Sequence, residues 1–231
     1  MLEDAAETQV LQVTYREVQR RFANVDDPAH GWEHVKRVYK LALHIAEREE
    51  ADRFIVGMAA LMHDLGRAIQ HAVGMGEAEA SSALTTHHAE LSVVAADELL
   101  VASQISPEKR EAVLHAIAAH SFSHNIEPRT LEACVVRDAD RLDGLGAIGV
   151  ARWAISATIR RTAQTRTYHQ DDPFAERHTP NDRLYMLDHF YTKLLRLSDT
   201  LTTETARKLA KRRSRFLREF LDELRWELDE I

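Results

Sequence analysis

Four residues of this chain have the chemistry and placement that a metal ion asks for: His34, the adjacent pair His63 and Asp64, and Asp140. Imidazole nitrogen combined with carboxylate oxygen suits a borderline or hard divalent ion. No thiolate cluster competes, because Cys134 is the single cysteine. Sequence neighbours do not share a helix face. His63 and Asp64 therefore converge on one point only if their helix stops there, and Leu65-Gly66 permits that stop. A carboxylate inside an apolar helix is costly unless it is paired, hydrogen-bonded or bound to an ion. Asp140 sits in such a helix within VVRDADRLD, which also carries Asp138 and Asp143. The 13 histidines are the anomaly of the composition, and His87-His88, His120 and His124 also stand at ligand-like spacing. The plain alternative is a set of buried polar residues satisfied by hydrogen bonds alone.

These side chains need helices to carry them, and the hydrophobic pattern supplies helices. Leu11, Tyr15, Val18 and Phe22 mark a first helix, and Asp26-Asp27-Pro28 breaks it. A second runs from about Trp32 to Glu49 with Val35, Val38, Ala42 and Ile45 on one side. Asp52 caps a third, Phe54 to about Leu65, which is apolar nearly all round and so expected to be buried. A connection at Gly74-Met75-Gly76 leads to a fourth helix, about Thr86 to Leu100, with Leu91, Val94, Ala95 and Leu99 inward. Ser106-Pro107-Glu108 combines a hydroxyl cap, a first-turn proline and an acid, and opens a fifth helix that reaches about His120. A sixth extends from near Pro128 to near Gly144, and a seventh from Leu145 to Ile159, with Gly144, Gly146 and Gly149 allowing close packing at their join. The pattern is lost between Thr165 and Arg183, which is expected to be a long loop. Two more helices follow, the last with Ala206, Ala210, Arg213, Leu217, Phe220 and Leu224 on one face. Trp32 and Trp153 are expected in the core or a pocket wall, and Trp226 at an interface. The fold class is all-α: one domain over residues 1–231, with a metal-site core of about 28–150 and C-terminal helices over about 182–231.

Composition narrows the partners. A length of 231 residues and a hydrophobic share of 45% suit a globular core. A net charge of −7 argues against general nucleic-acid binding, which needs a broad basic surface. The basic residues Arg207, Lys208, Lys211, Arg212, Arg213, Arg215 and Arg218 are offset by Glu219, Asp222, Glu223 and Glu227, as on a solvated helix face. No run approaches the roughly 20 apolar residues of a membrane span. The acidic start MLEDAAETQVLQ lacks the layout of a secretory signal, so a cytoplasmic location is expected. No base stands beside Cys134 to make it a nucleophile, so it reads as a core residue.

The ordered strings HGWEHVKRV, LMHDLGR, HHAEL and DADRLDGLGAIGVAR, followed by HFYTKLLRL and TLTTETARKLAKRR, resemble the HD-domain superfamily of metal-dependent phosphohydrolases. The likeness is to its small bacterial branch and covers nearly the whole chain. It implies a helical bundle that holds a divalent metal (manganese, magnesium, nickel, cobalt or iron) through His34, His63, Asp64 and Asp140. Asp140 is chosen because the family's last ligand falls in an Ala-Asp-Arg or Ala-Asp-Lys string. Four protein ligands on a six-coordinate ion leave room for a water and a phosphate oxygen. Asp64 would then also accept the water's proton. Arg67, one turn past the His-Asp pair, and Arg37, three residues after His34, would put positive charge over the phosphoryl oxygens. Some nucleotidases of the superfamily carry Glu where this chain has Arg67, which leaves Glu33 and Glu90 as alternative bases.

In dinuclear branches, histidines comparable to His88 and His120 bind a second ion. The GYP signature of the phosphodiesterases is absent, however, and IAAHSFSHN departs from their HHE string. One ion per chain is expected, with His30, His88 and His120 contacting phosphate or water. The branch includes nucleoside triphosphate pyrophosphohydrolases, so the expected partner is a phosphorylated small molecule, foremost a nucleotide. Arg152, Arg160 and Lys193 are candidate triphosphate contacts. A dinuclear iron oxygenase on the same helices and a nucleotide-sensing module without turnover are the rival readings. The amphipathic last helix is compatible with a homodimer.

Overall fold

A computed structural model describes residues 5–74 and 86–229. Among these residues there is no β-strand, only an isolated backbone bridge between Arg166 and Tyr185. The chain forms two compact units, one ending at Asp140 and the other starting at Arg141.

The first unit contains α1 (Ala5–Arg21), α2 (Trp32–Glu49), α3 (Arg53–Met62), α4 (Leu65–Gly74), α5 (His88–Ala102), α6 (Pro107–Ala119) and the greater part of α7 (Leu131–Asp143). The short α3 is its centre. Phe54 to Met62 are all buried, as an all-round apolar helix requires, and α1, α2 and α6 pack around it. Asp52 starts α3 by accepting from the backbone N–H groups of Phe54 at 2.9 Å and Ile55 at 3.1 Å. Ser106 caps α6 in the same manner, with Pro107 in the first turn. Trp32 packs edge-on against Tyr15, tying α2 to α1.

Two expectations need correction. The third helix does not run on to Leu65: it stops at Met62, His63 and Asp64 form a turn, and a separate helix, α4, occupies Leu65–Gly74. In α5 the buried residues are His88, Ala89, Ser92, Ala95, Ala96 and Leu100, while Val94 is 62% exposed. Apolar residues surround the later turns of α5, so periodicity there does not fix an inward face. The polar Ser92 turns inward because its hydroxyl accepts the Gly66 N–H at 2.8 Å and donates to the His88 carbonyl at 2.9 Å. Of the expected glycine connection, Met75 and Gly76 lie outside the described residues.

In the second unit, α8 (Gly146–Arg160) packs on α9 (Glu204–Asp229), and a run of short helical turns spans Met186 to Thr200. The Trp153 indole donates to the Met186 carbonyl at 2.7 Å, and its ring lies against Phe190 and Phe220. At the start of α8, Gly149 lies where a β-carbon would come within 2.2 Å of the Gly144 carbonyl oxygen, so the turn into the helix needs glycine there. The segment Thr165–Arg183 is irregular, as its composition implies, yet well anchored. Asp172 accepts the backbone N–H groups of Glu176, Arg177 and His178, and the His178 ring bridges Asp172 at 2.7 Å and Asp188 at 2.9 Å. Trp226 is 58% exposed, and no described helix is long and apolar enough to cross a membrane.

Candidate metal centre

His34 projects from the first turn of α2, His63 and Asp64 from the turn that ends α3, and Asp140 from the last turns of α7. The turn lets two consecutive side chains reach one point, which a continuing helix would forbid. His34, His63 and Asp64 are almost completely buried, and Asp140 is partly exposed.

The donor atoms converge. His34 Nε2 lies 3.3 Å from His63 Nε2, 3.3 Å from Asp140 Oδ1 and 3.5 Å from Asp64 Oδ2. His63 Nε2 lies 3.6 Å from the same Asp64 oxygen. Neighbouring ligands on an ion with bonds of about 2.1–2.2 Å stand about 3 Å apart, so a small inward movement would complete a coordination shell. His63 Nδ1 points at the Ala60 carbonyl at 2.8 Å, which assigns the ring proton to Nδ1 and leaves the Nε2 lone pair facing the cluster. Burial, partly offset by the charge of Asp64, lowers the His63 pKa to about 4 and keeps the ring neutral. Burial would raise Asp64, but the facing histidines His63, His120 and His34, with Arg67, hold it well below the ordinary carboxylate range. Asp140 is depressed too, chiefly by His34, against the effect of burial. A neutral His63 imidazole beside ionised carboxylates is the protonation state that metal ligation demands. The other Asp64 oxygen, Oδ1, is buried and has no hydrogen-bond partner in the protein.

Asp64 divides its two oxygens between two groups of residues. Oδ2 faces His34 and His63, whereas Oδ1 faces His88 Nε2 at 3.6 Å, His120 Nε2 at 3.8 Å and Arg67 Nε at 3.9 Å. His120 closes α6 and directs Nδ1 to the Ile117 carbonyl at 2.6 Å, so its Nε2 also points into the cluster. Burial lowers the His88 pKa to about 3. Arg67 Nε is buried without a hydrogen-bond partner.

Gly66 makes this second side of the cluster possible. A β-carbon there would fall 2.0 Å from the His88 carbonyl oxygen, so only glycine lets the start of α5 approach α4 closely enough to bring His88 to Asp64.

The other expected residues are placed as follows. The His30 ring stands edge-on to His34 with centroids 6.2 Å apart, and its Nδ1 meets Asp27 at 2.8 Å. Arg37 is half-buried on α2, one turn beyond His34. Asp138 is fully buried in α7, Asp143 pairs with Arg152 at 3.1 Å, and neither joins a group of ligand-like side chains among the described residues. Glu33 is exposed beside Lys36, and Glu90 faces His124. Arg160 lies along its own helix, donating to the Ser156 carbonyl.

Comparison with known proteins gives the family. The HD domain family model matches residues 31–145. The protein YpgQ of Bacillus subtilis is 34% identical over 203 residues, covering 86% of this chain and 84% of that one. The crystal structure of YpgQ in complex with ADP superimposes with a TM-score of 0.70 at 31% identity, over 96% of both chains. A Listeria innocua structure gives 0.71 at 25% identity, over 97% of this chain and 98% of that one. An HD-superfamily hydrolase from Bacillus thuringiensis gives 0.69 at 29% identity, over 96% and 98%. By the family-model match over residues 31–145 and the 34% identity to YpgQ across most of both chains, the chain belongs to the HD-domain family.

Proposed function

We propose that this protein is a divalent-metal-dependent phosphohydrolase acting on a nucleotide phosphate or phosphoanhydride bond, with nucleoside triphosphate pyrophosphohydrolysis as the leading form. The observation that carries the reading is the convergence of His34, His63, Asp64 and Asp140, with the unpartnered Asp64 Oδ1 facing Arg67. The ADP bound to the similar YpgQ supports a nucleotide as substrate.

In this reading the four residues hold one ion. His63 belongs to both groupings of ligand-like residues, His34–His63–Asp140 and His63–Asp64–His120. Its Nδ1 is committed to Ala60, so its single free nitrogen serves one ion position, not two. When bound, such an ion acidifies a water and polarises a phosphoryl oxygen. Asp64 Oδ1 accepts the water's proton. The Arg67 Nε, with no protein acceptor of its own, offers its hydrogen to the oxygens that gain charge as the phosphoryl group transfers. His88 and His120 orient phosphate or water on the Oδ1 side, with Arg37 and His30 on the His34 side.

The test is a panel of nucleotides and phosphate esters assayed with manganese, magnesium, cobalt or nickel, before and after chelation. Metal-dependent release of phosphate or pyrophosphate is expected. No turnover of any of them would remove the reading, and two ions per chain by metal analysis would refute the mononuclear form. Iron with oxygen uptake would mark the oxygenase instead.

A further inference from the structure

Beyond His88, the row of imidazoles does not end. His87 lies against His88 with ring centroids 4.3 Å apart, and His124 stacks on His87 at 4.6 Å with the planes 20° apart. These rings come from the start of α5 and from the turn after α6. They reach from the buried centre to the surface, where Ser123 is exposed and His87 and His124 are half-buried.

Hydrogen bonding fixes what this row presents. His87 is the N-cap of α5, and its Nδ1 accepts the Ala89 N–H at 3.2 Å. In a neutral ring the proton must then sit on Nε2. Nε2 lies 2.9 Å from Ser123 Oγ, so His87 donates and the serine accepts. The Ser123 hydroxyl hydrogen is left to donate, either to Ser121 Oγ at a long 3.3 Å or to an incoming acceptor. His124 Nε2 faces Glu90 at 3.7 Å, and Glu90, more than half exposed, is the acid paired with this group. The Arg67 charge also acts on both His87 and His88. Hydrogen-bond donors thus continue outward from the Oδ1 side of Asp64, with the Arg67 charge beside them.

We propose that His87, Ser123 and His124 form a second anion subsite that takes the phosphate adjoining the one attacked, so that the centre selects substrates with at least two linked phosphates. The inference rests on the phosphohydrolase reading and extends it to three residues that the ligand pattern does not include. His124 and the Ser123 hydroxyl contact this outer phosphate, and His87 is a positioning residue that sets the direction of the serine hydroxyl.

Calorimetry on the full-length, manganese-loaded protein tests it, with inorganic orthophosphate and pyrophosphate as probes. The wild type is expected to bind pyrophosphate at least about tenfold tighter, as hydrogen bonds to a charged group imply. Ser123→Ala and His124→Ala, both at accessible positions, should remove most of that preference and leave orthophosphate affinity unchanged within about twofold. His87→Asn retains a capping side chain but cannot reach Ser123, and should weaken pyrophosphate alone with no change in melting temperature. Equal affinity of the wild type for both anions, or variants that keep the preference, would overturn the subsite while leaving the phosphohydrolase reading intact. No binding of either anion by the metal-loaded wild type would overturn both.

Discussion

Gly66→Ala perturbs the centre without touching any proposed ligand. The added β-carbon would lie 2.0 Å from the His88 carbonyl oxygen, 2.9 Å from its carbon and 3.0 Å from Leu91 Cβ. The nearest obstacle is backbone in the first turn of α5, held by the Ser92 hydroxyl, and cannot rotate aside as a side chain would. Restoring ordinary contact at about 3.4 Å requires α4 and α5 to separate by about 1.4 Å. Overpacking of this kind costs about 1–3 kcal/mol, which for a chain of this length lowers the melting temperature by about 2–4 °C per kcal/mol. His88 moves with its carbonyl and leaves its position 3.6 Å from Asp64 Oδ1. A misplacement of about 1 Å in a catalytic constellation can cost about a hundredfold in rate. Thermal melting and steady-state kinetics on the best substrate of the panel, with metal analysis alongside, measure all of this. The expected outcome is a lower melting temperature and a rate reduced about a hundredfold, with metal retained because His34, His63 and Asp140 are carried by α2, the α3 turn and α7. A Gly66→Ala protein with unaltered melting and unaltered turnover would refute the claim that the close α4–α5 approach builds the Oδ1 side of the site.

Other consequences are equally direct. His63→Ala removes the nitrogen shared by both ligand groupings, and the purified protein should contain little metal by elemental analysis and show no hydrolysis. Arg67→Ala should retain its metal but lose about 10²–10³ in kcat, the usual effect of removing one transition-state donor. Ser92→Ala strips the buried acceptor from the Gly66 N–H and should destabilise by about 1–3 kcal/mol in denaturant titration. His178 has a pKa raised above 6.5 by its bonds to Asp188 and Asp172. Its contribution to stability is therefore complete below about pH 6.5 and declines as pH rises through the raised value. The melting-temperature gap between wild type and His178→Ala should narrow from about pH 6 to about pH 9, and a gap that widens over that range would contradict the double carboxylate contact.

The residues proposed as ligands could be singled out because metal chemistry restricts them to few types, and because ordered strings such as LMHDLGR and DADRLD carry the resemblance to the family. Helix starts with a local cause were legible as well: the Asp52 cap on α3 and the Ser106-Pro107 start of α6 depend only on residues a few positions apart. The break at His63-Asp64 was foreseen as a geometric need, but the helix that resumes at Leu65 was not, since LGRAIQHAVG continues the preceding apolar pattern with no proline or polar cluster to separate it.

What the sequence by itself determined is thus the all-helical class, the four ligand-type residues and their order along the chain, all set by local pattern and by the chemistry of single side chains. Tertiary structure alone decided how those residues are shared out. It turned Ser92 inward and Val94 outward on a helix whose periodicity could not choose a face. It brought α5 against Gly66, so that His88 joins His120 and Arg67 on one oxygen of Asp64 while His34 and His63 take the other. It also stacked His124 on His87, 37 positions earlier in the chain. Such juxtapositions follow from how helix faces meet at distances of a few ångströms, and no spacing along a single segment encodes them.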